Sequence, residues 1–127
     1  MDEAVTLPGT PPMVAAARAY VAALLAGTPR ADDATLITSE LATNAVAHTP
    51  SGTEGEFTVR VESKCADGWC RISVEDQGTI GWSRAAVGDE DAESGRGLAI
   101  VAALADRSGH RRSPQGTVAW AELIWAS

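Results

Sequence analysis

Glu40, Asn44 and His48 recur at every fourth position within Ser39-Glu-Leu-Ala-Thr-Asn-Ala-Val-Ala-His-Thr49. On an α-helix that spacing sets all three near one face. Ile37 and Leu41 fall on the same face, so polar groups interrupt a stripe that should otherwise be buried. Burying a carboxylate and an amide costs free energy unless they find partners. The chain must therefore lay this helix against a core and still give its polar groups something to bind. A ligand or a metal ion answers that need.

The rest of the chain supplies the surroundings. Val14, Ala17, Val21, Leu24 and Leu25 recur at helical spacing after Pro12, and Gly27-Thr-Pro29 stops them. The second helix is predicted from Ala31 to Ala47, with Asp32 and Asp33 suited to its positive N-terminal end. Phe57, Val59 and Val61 alternate with polar residues, as do Cys70, Ile72 and Val74. That period of two marks half-buried strands, joined here by an Asp67-Gly68 turn. A loop-like stretch from Gly78 to Gly95 carries the acidic tract Asp89-Glu-Asp91. A third helix is predicted from Gly97 to Asp106, followed by strands from Gly109 to Arg112 and from Thr117 to Trp125. Val5 to Leu7 suits a short edge strand. The order implies a two-layer α/β (α+β) sandwich with helices on one face of a mixed, mostly antiparallel sheet. All 127 residues are expected to form a single domain.

Charge and composition narrow the function. The chain has a net charge of −7 and scattered basic residues, which argues against direct nucleic-acid binding. No apolar run approaches the roughly 18–20 residues that span a bilayer. The N-terminus does not read as a secretory signal, so a cytoplasmic location is expected. Cys65 and Cys70 both fall in phase with the apolar side of their strands and are expected to be small, reduced core residues. A cross-hairpin disulfide is the other reading. Trp120 is expected in the core, and Trp82, in a loop, is the better candidate for a partner contact.

Two further clusters accompany the helix face. In Val74-Glu-Asp-Gln-Gly-Thr-Ile-Gly81 a strand delivers Asp76 to its end and glycines follow. A fixed aspartate accepts hydrogen bonds from an amine, and glycine lets backbone approach a flat ligand. Taken alone, the same residues also make an ordinary turn. Glu93-Ser-Gly-Arg-Gly-Leu98 precedes the third helix, where free N–H groups and the helix dipole favour an anion. Taken alone, it also reads as a flexible loop entering a helix.

Together these residues give E-x-x-x-N on a helix, D-x-G at a strand end, then G-x-G-L opening a helix. The pattern resembles the GHKL (Bergerat-fold) ATP-binding superfamily. The segments SELATNAVAHT and SGRGLAIVAALAD most resemble its anti-sigma-factor serine/threonine kinases, the RsbW/SpoIIAB-like group.

The resemblance implies roles residue by residue. Asn44 matches the asparagine that holds Mg²⁺, and Glu40 the residue that acts as general base or orients the attacking hydroxyl. Asp76 matches the aspartate that receives the adenine amino group, with Gly78 and Gly81 leaving room for the base. Gly95, Arg96, Gly97 and Leu98 match the phosphate-side motif, and Thr117 a threonine completing the adenine network. His48 stands where relatives carry a residue near the nucleotide, and a capping role is equally open.

The implied cofactors are ATP and Mg²⁺. The implied partners are a sigma factor and a STAS-domain anti-anti-sigma protein, and the resemblance also allows a homodimer. Two departures favour an alternative, a non-catalytic ATP- or ADP-dependent binding module. One extra residue precedes Gly81, and Asp89, Glu90, Asp91 and Glu93 make the stretch over the phosphates acidic.

Overall fold

The structure, a computed structural model, describes residues 1–47, 55–76, 92–113 and 116–126. Strand β1 (Asp2–Pro8) leads into helices α1 (Pro12–Leu24) and α2 (Ala31–Ala47). Strands β2 (Glu56–Lys64) and β3 (Trp69–Asp76) follow, then helix α3 (Ala92–Leu104) and strands β4 (Arg107–Ser113) and β5 (Gly116–Ile124). The sheet order is β1-β2-β3-β5-β4, and every neighbouring pair is antiparallel.

Alternation decides which side of the sheet is covered. Phe57, Val59 and Val61 of β2, Cys70, Ile72 and Val74 of β3, and Ala121 and Leu123 of β5 are all buried. They meet Ala17 and Val21 of α1, Ile37, Leu41, Ala42 and Ala45 of α2, and Val101 of α3 in one core. The helices therefore share one face of the sheet, as the sequence order implies. α2 lies centrally, against β2, β3 and β5 and between the other two helices. Among the described residues no helix is long and apolar enough to cross a membrane.

Arg30, just before α2, ties the elements together. Its Nε donates to Asp33 Oδ2 at 2.8 Å and its Nη1 to Asp106 Oδ2 at 3.1 Å. Nη1 and Nη2 also donate to the carbonyls of Ile124 (2.8 Å) and Leu104 (2.7 Å). The Leu104 carbonyl is one of those a helix C-terminus leaves unpaired, so the guanidinium caps α3 while pinning it to β5.

Four expectations change. The first helix, α2 and the strand pairs stand where the sequence implies, but α3 begins at Ala92 rather than Gly97. Cys65 is exposed because β2 ends at Lys64 and a short 3₁₀ turn, Cys65–Asp67, breaks the alternation before Gly68 adopts φ 70°. Cys70 alone is buried, and both thiols are free.

Trp120 is not a core residue. It lies in phase with Val118 and Glu122 on the uncovered side, because the small Ala119 and Ala121 face α2. There its ring covers Gly109, where an added Cβ would come within 2.9 Å of Trp120 Cζ2, and Arg71 stacks on it at 4.5 Å from the centroid. Finally, the basic residues are scattered only in sequence. Arg60, Lys64, Arg71, Arg107 and Arg111 all fall on the uncovered side of the sheet by their register.

Candidate functional site

α2 carries two of the expected site residues in the expected way. Ile37, Leu41 and Ala45 are buried, while Glu40 and Asn44 are half-buried at the rim of the same helix. Neither Glu40 nor Asn44 makes a side-chain hydrogen bond among the described residues. The helix instead satisfies its threonine hydroxyls internally. Thr35, Thr38 and Thr43 hydroxyls donate to the carbonyls of Ala31, Ala34 and Ser39 at 2.7–2.8 Å. Glu40 and Asn44 thus present oxygen and amide groups outward from a half-buried face, which suits a polar ligand. His48 lies outside the described residues.

Asp76 and Thr117 are brought together at the end of the sheet. They stand opposite each other across β3 and β5, and the Thr117 N–H donates to Asp76 Oδ1 at 3.2 Å. Asp76 is 5% exposed, in line with the buried Val74 and Ile72. A buried carboxylate demands donors, and the Thr117 N–H holds one of its oxygens. Its position at the end of β3 fits the reading from the sequence. Gly78 and Gly81 lie outside the described residues, as does Trp82.

Gly95, Arg96 and Gly97 belong to the first two turns of α3, not to a loop ahead of it. The N–H groups that the start of α3 leaves without helical partners therefore include those of Ala92, Glu93 and Ser94. Leu98 follows on the half-buried side of the helix. It meets Leu41 at a cavity of about 200 Å³ between α2, α3 and the β4–β5 pair, where Val101, Ser108 and His110 also contribute. Glu40, Asn44, Asp76 and Thr117 do not line this cavity. Ala119, opposite His110, is one inward residue along β5 from Thr117. Ser108 and His110 were not singled out by the sequence. Their only signal is that they share the inward phase of β4, facing Ala121 and Ala119.

No group of three or more metal-binding side chains occurs among the described residues. A single amide oxygen with a neighbouring carboxylate is still a fitting donor set for Mg²⁺, which takes most of its ligands from phosphates and water.

The profile of the histidine kinase-like ATPase domain matches residues 7–123. The chain belongs to that family. Its fold is the GHKL ATPase fold, built for nucleotide binding, and among the described residues three helices lie on a five-stranded antiparallel sheet. It is similar to the crystal structure of the RsbU and RsbW domains of Rv1364c from Mycobacterium tuberculosis. The TM-score is 0.73 and the identity 25%, over 98% of this chain and 32% of the other. The chain thus spans about a third of that protein's length. A second histidine kinase-like fold is the histidine kinase domain of the blue-light activated histidine kinase EL346 from Erythrobacter litoralis. There the TM-score is 0.55 and the identity 23%, over 74% of this chain and 44% of the other. No curated protein matches the chain.

Proposed function

We propose that this histidine kinase-like ATPase domain is an ATP- and Mg²⁺-dependent serine/threonine protein kinase that also serves as an anti-sigma factor. Its phosphoacceptor would be a hydroxyl on a STAS-domain anti-anti-sigma partner. The likeness to an RsbW-containing structure over 98% of the chain carries this reading. The placement of Glu40, Asn44, Asp76 and Thr117 supports it.

In this reading Asp76 accepts the adenine amino group while the Thr117 N–H keeps the carboxylate aimed. Asn44 offers its side-chain oxygen to Mg²⁺, whose charge offsets that of the phosphates. The start of α3, through Gly95, Arg96, Gly97 and Leu98, lies against the phosphates. Glu40, one turn before Asn44, accepts the proton of the partner's hydroxyl as that oxygen bonds to the γ-phosphorus. The bond from the γ-phosphorus to the bridging oxygen breaks, and ADP leaves. Most of the acceleration in such a transfer comes from positioning and charge stabilisation.

The acidic tract Asp89-Glu-Asp91 and the extra residue before Gly81 favour a second reading. In it the domain binds ATP or ADP to set a protein-binding surface and transfers nothing. Incubation with labelled ATP, Mg²⁺ and STAS proteins encoded nearby separates the two. The kinase reading expects label on the partner, reduced at least about a hundredfold in Glu40→Ala, as for loss of a general base, and also in Asn44→Ala. Tight ATP binding with no transfer to any of these proteins would leave the binding module.

A further inference from the structure

The two edges of the sheet differ in charge. β1, at one edge, carries Asp2 and Glu3 and no basic residue; β4, at the other, has the sequence Arg-Ser-Gly-His-Arg-Arg-Ser and no acidic one. This basic strand belongs to a chain of net charge −7. β4 pairs with β5 on one side, and among the described residues no strand pairs with its other side. An uncovered strand edge offers a row of backbone N–H and C=O groups to any extended segment that reaches it.

The side chains define what kind of segment would fit. Arg107 and Arg111 are exposed on the uncovered side of the sheet, four residues apart, which along a strand is roughly 13 Å. Glu122, the carboxylate opposite Arg107, is already engaged: it accepts from Trp69 Nε1 at 3.0 Å and lies 3.6 Å from Arg107 Nε. Arg111 faces the apolar Val118 and makes no ion pair among the described residues. Between the two arginines lies Gly109, roofed by the Trp120 ring, on which Arg71 stacks. Arg71 Nε is buried there without a hydrogen-bond partner. Tryptophan and arginine are the residues that most often anchor protein contacts.

We propose that β4 is a docking edge for an acidic, extended segment of a protein partner, which adds as a sixth strand. Two carboxylates four residues apart would meet Arg107 and Arg111, with a small residue between them beside Gly109. The backbone supplies affinity and the arginines supply register and selectivity. Arg107 and Arg111 lie on the far side of the sheet from α2, and neither their charge nor the open strand edge depends on the nucleotide reading.

The probe is the capped peptide Thr-Glu-Val-Ser-Val-Glu-Val-Thr, titrated into the ¹⁵N-labelled protein at low salt, beside a version with lysine for both glutamates. Binding of the acidic peptide alone is expected. Shifts should centre on β4, and amide exchange should slow at the β4 residues whose N–H groups point away from β5. Arg111→Glu, which leaves the Arg107–Glu122 pair intact, should weaken binding about fivefold, as for one exposed charge pair. The Arg107→Glu/Arg111→Glu variant should weaken it further. Equal binding of both peptides, shifts centred elsewhere, or an unchanged affinity in Arg111→Glu would overturn the proposal. So would protection of β4 without peptide that disappears on dilution, which would assign the edge to a second copy of the chain.

Discussion

At the scale of single residues, the two most informative side chains outside the site are Arg30 and Cys70. Arg30 satisfies its guanidinium with two carboxylates and two carbonyls from three parts of the chain. Removing it leaves the Leu104 carbonyl and both carboxylates short of a donor. Arg30→Ala is expected to lower stability by about 2 kcal/mol in a urea unfolding series. Cys70 behaves differently. Burial, reinforced by the neighbouring Cys65 thiol, pushes its pKa up from 9.0 to about 11. An acid held protonated by the fold stabilises it fully below the unfolded pKa. That contribution is lost as pH rises, because the unfolded chain releases the proton first. Stability should thus fall between about pH 9 and pH 11, and the Cys70→Ala variant should lack that component of the fall. At pH 8 a thiol reagent should modify Cys65 quickly and Cys70 only on unfolding.

At the scale of elements, α2 and the β3–β5 pair set the candidate site. The alternation of Cys70, Ile72 and Val74 continues to Asp76, so the strand itself carries a carboxylate inward at its end. An asparagine there would keep an oxygen to accept the Thr117 N–H and would lose the charge that favours an amine donor. Asp76→Asn is expected to unfold at an unchanged urea midpoint and to weaken adenine-nucleotide binding at least about tenfold. α2 and the β2–β3 hairpin were legible from periodicity because local pattern and burial agree there. The side of β5 that faces the helices was not. Val118 and Trp120 are the more apolar pair, yet the small Ala119 and Ala121 are the ones that face the core. The start of α3 was equally hidden: Gly95 reads as the end of a loop and Gly97 as the first helical residue, yet the helix runs back to Ala92 despite the low helix propensity of glycine. Glu40 and Asn44 were legible because helical spacing alone places them on one rim.

At the scale of the whole molecule, the fold segregates its roles. The helix-covered side holds the core, with the half-buried Glu40 and Asn44 at the α2 rim and the Asp76–Thr117 rung at the sheet's end. The uncovered side gathers arginines that the sequence scatters across three strands, because register, not sequence distance, decides which side chains become neighbours. A nucleotide in the first and a partner on the second would be separated by the thickness of one sheet. The proposed function depends above all on the site taking ATP with Mg²⁺. Calorimetric titration of Mg-ATP into the wild-type protein, with Asp76→Asn and Asn44→Ala alongside, tests that claim directly. Saturable one-to-one binding, weakened by Asp76→Asn with or without Mg²⁺ and by Asn44→Ala only when Mg²⁺ is present, is the predicted result. No heat of binding from the folded wild-type protein, with ATP or ADP and at millimolar Mg²⁺, would contradict it.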